Sequence, residues 1–174
     1  VSEAFRGEFS QKVDGKARVS IPAAFRRVLE AGDPAFGEGS RPRLVMVYGS
    51  ADRKFVECYT ITEMKKVEAR IRKMPPGNRS RRYLEINLVT LSQTVEVDED
   101  GRIVMPPKVR DKIALTAEDM KDGAEAIFAG TLDTFQIWKR DAYDAELAQQ
   151  AELEDDILPD GLDMLALLPH DPEE

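Results

Sequence analysis

Cysteine, histidine and tryptophan each occur once in this chain of 174 residues. A single cysteine, Cys58, cannot close an intramolecular disulfide, which agrees with a reducing compartment. With Cys58 in an apolar run and His170 in an acidic one, no nucleophile–base pair and no metal-ligating cluster can be assembled. A phosphate-cradling glycine loop of the Walker type is also missing. Catalysis is therefore not expected, nor is any cofactor, metal or small-molecule substrate. No apolar run approaches the ~20 residues of a membrane span, and there is no charged-then-apolar leader, so the expectation is a soluble cytoplasmic protein without membrane contact. Positive charge is absent from one long stretch: Asp144 to Glu174 carries 11 acidic residues and no Lys or Arg.

That stretch dominates the net charge of −8, a value that by itself argues against a polyanionic partner. Divided at Thr90, the chain reads differently. Residues 1–90 hold 18 basic and 11 acidic side chains, whereas residues 91–174 hold 7 basic and 22 acidic. Clustered Lys and Arg are what phosphate binding requires, and the first half has them.

The organising feature is a repeat. Val13-Asp14-Gly15-Lys16-Ala17-Arg18-Val19-Ser20-Ile21-Pro22-Ala23-Ala24-Phe25-Arg26 returns 84 positions later as Val97-Asp98-Glu99-Asp100-Gly101-Arg102-Ile103-Val104-Met105-Pro106-Pro107-Lys108-Val109-Arg110, with Val, Asp, Arg, Pro and Arg in identical register. Self-similarity at a fixed period means two copies of one structural unit. Each copy opens with turn chemistry, an Asp that bonds the backbone ahead and a Gly that accepts positive φ: Asp14-Gly15 in the first, Asp98 through Gly101 in the second. Short β-favouring runs follow, Arg18 to Ile21 and Arg102 to Met105, each with one apolar face. Pro22 and Pro106 then end strand pairing and suit the first turn of a helix. Phe25, Val28 and Leu29 in the first helix, and Val109 and Ile113 in the second, make the apolar faces, with Arg26 and Arg110 pointing elsewhere.

Around the repeat the reading is a strand over Glu8 to Val13, a helix over Ala23 to Ala31 closed by Gly32-Asp33-Pro34, and paired strands at Leu44 to Tyr48 and Phe55 to Tyr59. Thr60 to Glu63 resembles a capping box, opening a helix whose apolar face is Ile61, Met64, Val67, Ile71 and Met74 and which stops at Pro75-Pro76-Gly77. Tyr83 to Leu91 fits neither helical nor strand periodicity cleanly. Thr94 to Val97 begins the second copy, whose later strands are Ala124 to Ala129 and Thr134 to Lys139. Phe128-Ala129-Gly130 echoes Val47-Tyr48-Gly49, and Phe135 to Trp138 echoes Val56 to Tyr59, so the repeat extends beyond the motif. Arg140 to about Leu153 reads as helix with Tyr143 and Leu147 on one side. Past Asp155 the chain alternates acids with Leu, Ile and Met, the pattern of a disordered tail or a short helix that docks on a partner.

Two copies of D-x-x-x-R-[hydrophobic]-x-[hydrophobic]-P-x-x-[hydrophobic]-R resemble the swapped-hairpin barrel domains of the AbrB type, and Phe5-Arg6-Gly7 ahead of the first copy resembles the opening of the MraZ family. The likeness runs from about Phe5 to about Tyr143. It implies an α+β protein of two pseudo-repeated AbrB-like swapped-hairpin β-barrel units with connecting helices: residues 5–62 and 92–142 as the units, 63–91 as the helical connection, which favours helix over Tyr83 to Leu91, and 143–174 as an acidic C-terminal tail. The functional implication is a bacterial transcriptional regulator, a repressor of the division and cell-wall gene cluster promoter, nucleoid-associated and built as a homo-oligomeric ring on repeated elements of double-stranded DNA.

Within the motif, Lys16 and Arg18 are the positions that the resemblance implicates in DNA binding. Read from the residues alone, Arg18 and Arg102 admit three roles: an ion pair with the Asp four residues earlier, a solvated strand-end charge, or a phosphate or base contact. Asp14 and Asp98 read as turn-fixing residues. In the second copy Glu99 and Asp100 occupy the places of Gly15 and Lys16, and carboxylates there repel phosphate. The family's Lys-Gly-Arg loop is Lys16-Ala17-Arg18 here, which makes a different turn backbone the expectation. The DNA-binding set is thus Asp14, Lys16, Arg18, Asp98 and Arg102, with Arg6, Arg26, Arg79, Arg81 and Arg82 as secondary candidates. A rival reading is an oligomeric scaffold or antitoxin-like interaction module whose loops do not touch DNA.

Overall fold

Strands from both halves of the chain pair with one another, in a shared six-stranded sheet and in a ribbon made by the two motif strands. A computed structural model describes residues 3–171, which fall into two compact units, one through Arg140 and the other from Asp141. In the first unit the strands are β1 (Glu8–Val13), β2 (Arg18–Ser20), β3 (Arg43–Val47), β4 (Phe55–Tyr59), β5 (Ser92–Glu96), β6 (Arg102–Val104), β7 (Ala124–Gly130) and β8 (Thr134–Lys139). Its helices are α1 (Ala23–Ala31), α2 (Ile61–Arg72), α3 (Arg79–Leu84), α4 (Pro107–Lys112) and α5 (Ala117–Lys121). The fold is α+β. Six strands form an antiparallel sheet in the order β1-β7-β8-β4-β3-β5, and β2 pairs with β6 in a separate two-stranded ribbon.

The sheet is symmetrical about its centre. Glu57 faces Gln136 in the middle of the β4–β8 ladder. Outward from there, Met46 lies between Cys58 and Gln93 as Phe128 lies between Ile137 and Phe9. Met46 is therefore the counterpart of Phe128, and Val47 that of Ala129. The sequence echo that set Val47 against Phe128 is one residue out of register, whereas the echo of Val56–Tyr59 in Phe135–Trp138 agrees with the ladder. In a strand such a slip exchanges the two faces. Val47 indeed packs with Ile61 and Met64 of α2, while Phe128 belongs to the main core.

That core draws on both halves of the chain: Val19, Phe25, Leu29, Met46 and Cys58 from the first, Ile103, Met105, Val109, Phe128 and Ile137 from the second. Phe5, Phe9, Phe25, Phe128 and Phe135 form a chain of ring contacts with centroids 4.9–5.8 Å apart. Interlocking side chains of this size accounts for most of the driving force, since each buried aromatic contributes about 1.5–3 kcal/mol on transfer. Cys58 is wholly buried there, and burial pushes its thiol well above the ordinary range.

Local chemistry explains the element ends. Thr60 caps α2 by accepting the Glu63 N–H, the forward half of the anticipated capping box, while the full reciprocal box forms at Thr116 and Asp119 at the start of α5. Tyr83 to Leu91 resolves as the end of α3 followed by a π-helical turn, Glu85–Thr90. Its Asn87 accepts the Ser50 N–H and donates to the Tyr83 carbonyl, and Gly49 is required opposite it because a Cβ there would stand 2.1 Å from the Asn87 carbonyl oxygen.

In the second unit α6 (Arg140–Ile157) runs four residues past the helix end read from sequence, and Met164–Leu167 form one 3-10 turn. Tyr143 is buried and Leu147 exposed. No helix among the described residues is long and apolar enough to cross a membrane.

Candidate nucleic-acid interface

Each aspartate of the repeated motif ties down its own turn. Asp14 Oδ1 accepts the N–H groups of Lys16 and Arg18, both at 2.9 Å, and its Oδ2 accepts from Arg18 Nε at 2.8 Å. The Ala17 N–H donates to the Asp14 carbonyl and the Asp14 N–H to the Arg18 carbonyl, closing the turn. In the second copy Asp98 Oδ1 accepts from the N–H groups of Asp100 and Arg102 at 2.8 and 2.9 Å. Donation from the Arg18 and Arg102 amides, foremost among the causes, holds the carboxyls of Asp14 and Asp98 below the usual range, and both turns remain clamped at any neutral pH.

The two turns share one backbone despite their different glycine placement. Positive φ falls on Ala17 (62°) and on Gly101 (76°), equivalent positions in the repeat, and not on Gly15. This corrects the expectation that Gly15 supplies the left-handed residue of the first turn. Ala17 bears the cost of the left-handed conformation, about 1–2 kcal/mol for a residue with a Cβ, while its methyl group is buried.

The guanidiniums differ. Asp14 engages Arg18 through Nε, and the Arg18 side chain, 38% exposed, lies two residues from the exposed Lys16. Arg102 is held from two sides, Nη2 by Asp100 at 3.1 Å and Nε 3.8 Å from Asp98, and this Nε is buried without a hydrogen-bond partner. Arg41 pairs with Glu99 at 3.2 Å. The first turn therefore presents two cations, and the second presents Glu99 and Asp100 around an occupied arginine.

Between the turns runs the β2–β6 ribbon, in which Arg18 faces Val104, Val19 faces Ile103 and Ser20 faces Arg102. Val19 and Ile103 are buried. By strand alternation Arg18, Ser20, Arg102 and Val104 share the outer face. Ser20 and Val104 escaped the motif reading, although counting in twos from Arg18 and Arg102 reaches both.

The secondary candidates do not gather here, with one exception. Arg26, read as pointing away from the unit's apolar face, lies against the second turn: a Cβ on Gly101 would meet its Nη1 at 1.6 Å. With Arg27, Asp98 and Glu99 it lines a hollow of about 320 Å³. Arg6 is exposed two residues ahead of β1, at the end of that strand opposite to Asp14. Arg79, Arg81 and Arg82 belong to α3, whose π-helical continuation meets β5 at its Ser92 end, with Asp98 beyond the other end. Arg81 is only 19% exposed, donating to the Met74 carbonyl and lying 3.7 Å from Glu85, so it joins α3 to the end of α2. Arg79 and Arg82 are exposed. Among the described residues no group of three or more His, Cys, Asp or Glu side chains is placed to hold a metal ion.

Comparison with known proteins places this geometry in a family. A family described as "MraZ protein, putative antitoxin-like" matches residues 88–157. The transcriptional regulator MraZ of Cereibacter sphaeroides is 60% identical over 168 residues, covering 97% of this chain and 97% of that protein. The protein of the same name from Ruegeria pomeroyi is 49% identical over 164 residues, 94% of each chain. That from Xylella fastidiosa is 31% identical over 158 residues, 91% of this chain and 96% of its own. Identity at these levels along nearly the full length of both partners means that the chain belongs to the MraZ family, whose curated members bear the name transcriptional regulator.

Proposed function

We propose that this transcriptional regulator binds promoter DNA in a sequence-specific manner through Lys16, Arg18 and the outer face of the β2–β6 ribbon, as a homo-oligomer engaging repeated operator elements. The observation that carries the reading is the Asp14 clamp: it fixes the turn through the Lys16 and Arg18 amides and holds Arg18 through Nε, on a turn where Lys16 is exposed and Arg18 partly so. Arg in that state suits a guanine edge or a phosphate, and Lys a phosphate.

Two cations per subunit anchor few phosphates, so useful affinity requires several subunits on spaced sites at once. A ring supplies that arrangement, and operator repeats spaced by a helical turn match it. In this reading residues 5–62 and 92–142 are the repeated units, 63–91 connect them, and 143–174 form an acidic extension that stays off the DNA. The expected target is the promoter of the division and cell-wall gene cluster, and the expected action is repression.

The test is an anisotropy titration of the full chain against the DNA upstream of its own coding sequence and against random duplex, at two salt concentrations. Specific binding that weakens with salt supports the reading. Salt-insensitive or sequence-blind behaviour refutes it and favours an antitoxin-like interaction module, for which the exposed Leu162, Leu165, Leu167 and Leu168 of the second unit would be the contact surface.

A further inference from the structure

The register of the ribbon singles out one residue that its charge pattern does not. Met105 donates its N–H to the Ala17 carbonyl and Ile21 its N–H to the Gly101 carbonyl. In an antiparallel ladder the pairs between these positions alternate, which makes Arg18–Val104 and Ser20–Arg102 the non-hydrogen-bonded pairs, with side chains about 5 Å apart at Cβ. Val104 thus stands immediately beside Arg18. It is 58% exposed, although its neighbours Ile103 and Met105 are buried. Its methyl groups lie outside the core, on the face that carries Lys16 and Arg18 at one end.

We propose that Val104 reads a thymine: its methyl groups pack on the 5-methyl group of that base in the major groove, next to the base or phosphate reached by Arg18. The proposal rests on the DNA-binding reading above and adds a specificity determinant to it. The occupant is a groove because the dimensions and the charge agree. A two-stranded ribbon enters a major groove about 12 Å wide. Residues along a strand advance about 3.4 Å, the spacing of successive bases, so side chains on one face meet every second base pair. Cations beside Val104 complement the phosphates that flank the groove. Of the base-edge features in that groove, the thymine methyl is the one an aliphatic side chain can distinguish, and cytosine, adenine and guanine lack it.

The test uses full-length protein and duplexes that the wild type recovers from a pool with a randomised core. Each recovered duplex is resynthesised with deoxyuridine in place of thymine, a change that removes the methyl and leaves every hydrogen-bonding group. Wild-type affinity should fall by about fourfold per contacted position, the worth of one buried methyl group. Val104→Ser should bind both duplexes equally, whereas Val104→Thr, which keeps one methyl in place, should retain most of the difference. Equal wild-type binding to thymine and deoxyuridine duplexes overturns the proposal, as does undiminished discrimination by Val104→Ser. A changed elution volume of Val104→Ser in size-exclusion chromatography also overturns it, assigning the residue to a subunit contact. A wild type that recovers no sequence from the pool overturns the parent reading itself, an outcome distinct from recovery without methyl discrimination.

Discussion

Replacing Arg18 or Arg102 by alanine should have unequal effects, because the two arginines meet phosphate in opposite electrostatic settings. Arg18 has one carboxylate partner, engaged through Nε, and Lys16 beside it. Its loss removes a contact worth about 1–3 kcal/mol at a base edge, a factor of roughly 5 to 150 in affinity for each engaged subunit. Arg102 already shares its charge with Asp100, which is 74% exposed, and a phosphate brought within 4 Å of that carboxylate is repelled by about 1 kcal/mol even in water. That repulsion offsets most of what Arg102 can offer. Arg102→Ala should therefore change affinity by less than about threefold, and Asp100→Asn should tighten binding by up to about fivefold at low salt. Anisotropy titration of the three variants on one specific duplex reads all of this, with size-exclusion chromatography as the control. An exposed ion pair sets little of the stability, so Arg18→Ala should melt within about 4 °C of the wild type and keep its oligomeric size. Equal losses from Arg18→Ala and Arg102→Ala, or an Arg18→Ala protein that dissociates, would refute the reasoning.

Lys16→Ala should reduce the slope of log affinity against log salt by about 0.9 for each engaged subunit while leaving the preferred sequence unchanged, a signature of phosphate contact that titrations at four salt concentrations resolve. Gly101→Ala should destabilise by about 1–2 kcal/mol in urea unfolding, since it combines a left-handed backbone with a collision against Arg26; Ala17→Gly relieves the same strain but gives up a buried methyl, and should stay within about 0.5 kcal/mol. Glu125 is held down to about 2 by Arg140 and then by Ser10, so its contribution is complete above the usual carboxylate range near 4.5 and disappears as pH falls toward 2. Glu125→Gln should flatten the thermal-melting profile across that interval, and an unchanged acid limb would count against the assignment.

Much of this architecture is legible in the chain because the repeat states it twice. The span of β1, the span of α1 and the turn–strand–proline–helix order follow from residue types that leave little choice, such as Asp at a turn or Pro ahead of a helix. The failures have physical causes. Tyr83 to Leu91 satisfied neither a 3.6-residue nor a 2-residue period because part of it is π-helical, with bonds to the fifth residue. The left-handed position went to Ala17 because the Asp14 clamp, and not the glycine, dictates the turn. The one-residue slip between β3 and β7 arose from matching apolar identities, which cannot distinguish the two faces of a strand buried on both. Val104 was not singled out because the motif draws the eye to its charges, although alternation from Arg102 sets it on the outer face. Arg81, read as part of a basic run, is tied to the Met74 carbonyl, and only three-dimensional packing could show that.

The pairing of β1 with β7 also has a consequence for synthesis. Glu8 finds its partner at Ala129 and Val13 at Ala124, more than a hundred residues further along. At ribosomal rates of about 5–20 residues per second, β1 leaves the ribosome roughly 6–24 s before the strand that covers it. For that interval Phe9 and Val13 stand on an open edge, available to any passing chain, including a second nascent copy. Contacts of such long sequence separation fold slowly. The order of strands in the finished sheet therefore makes emergence of β7 and β8, not of the first half, the event that lets this protein close its core.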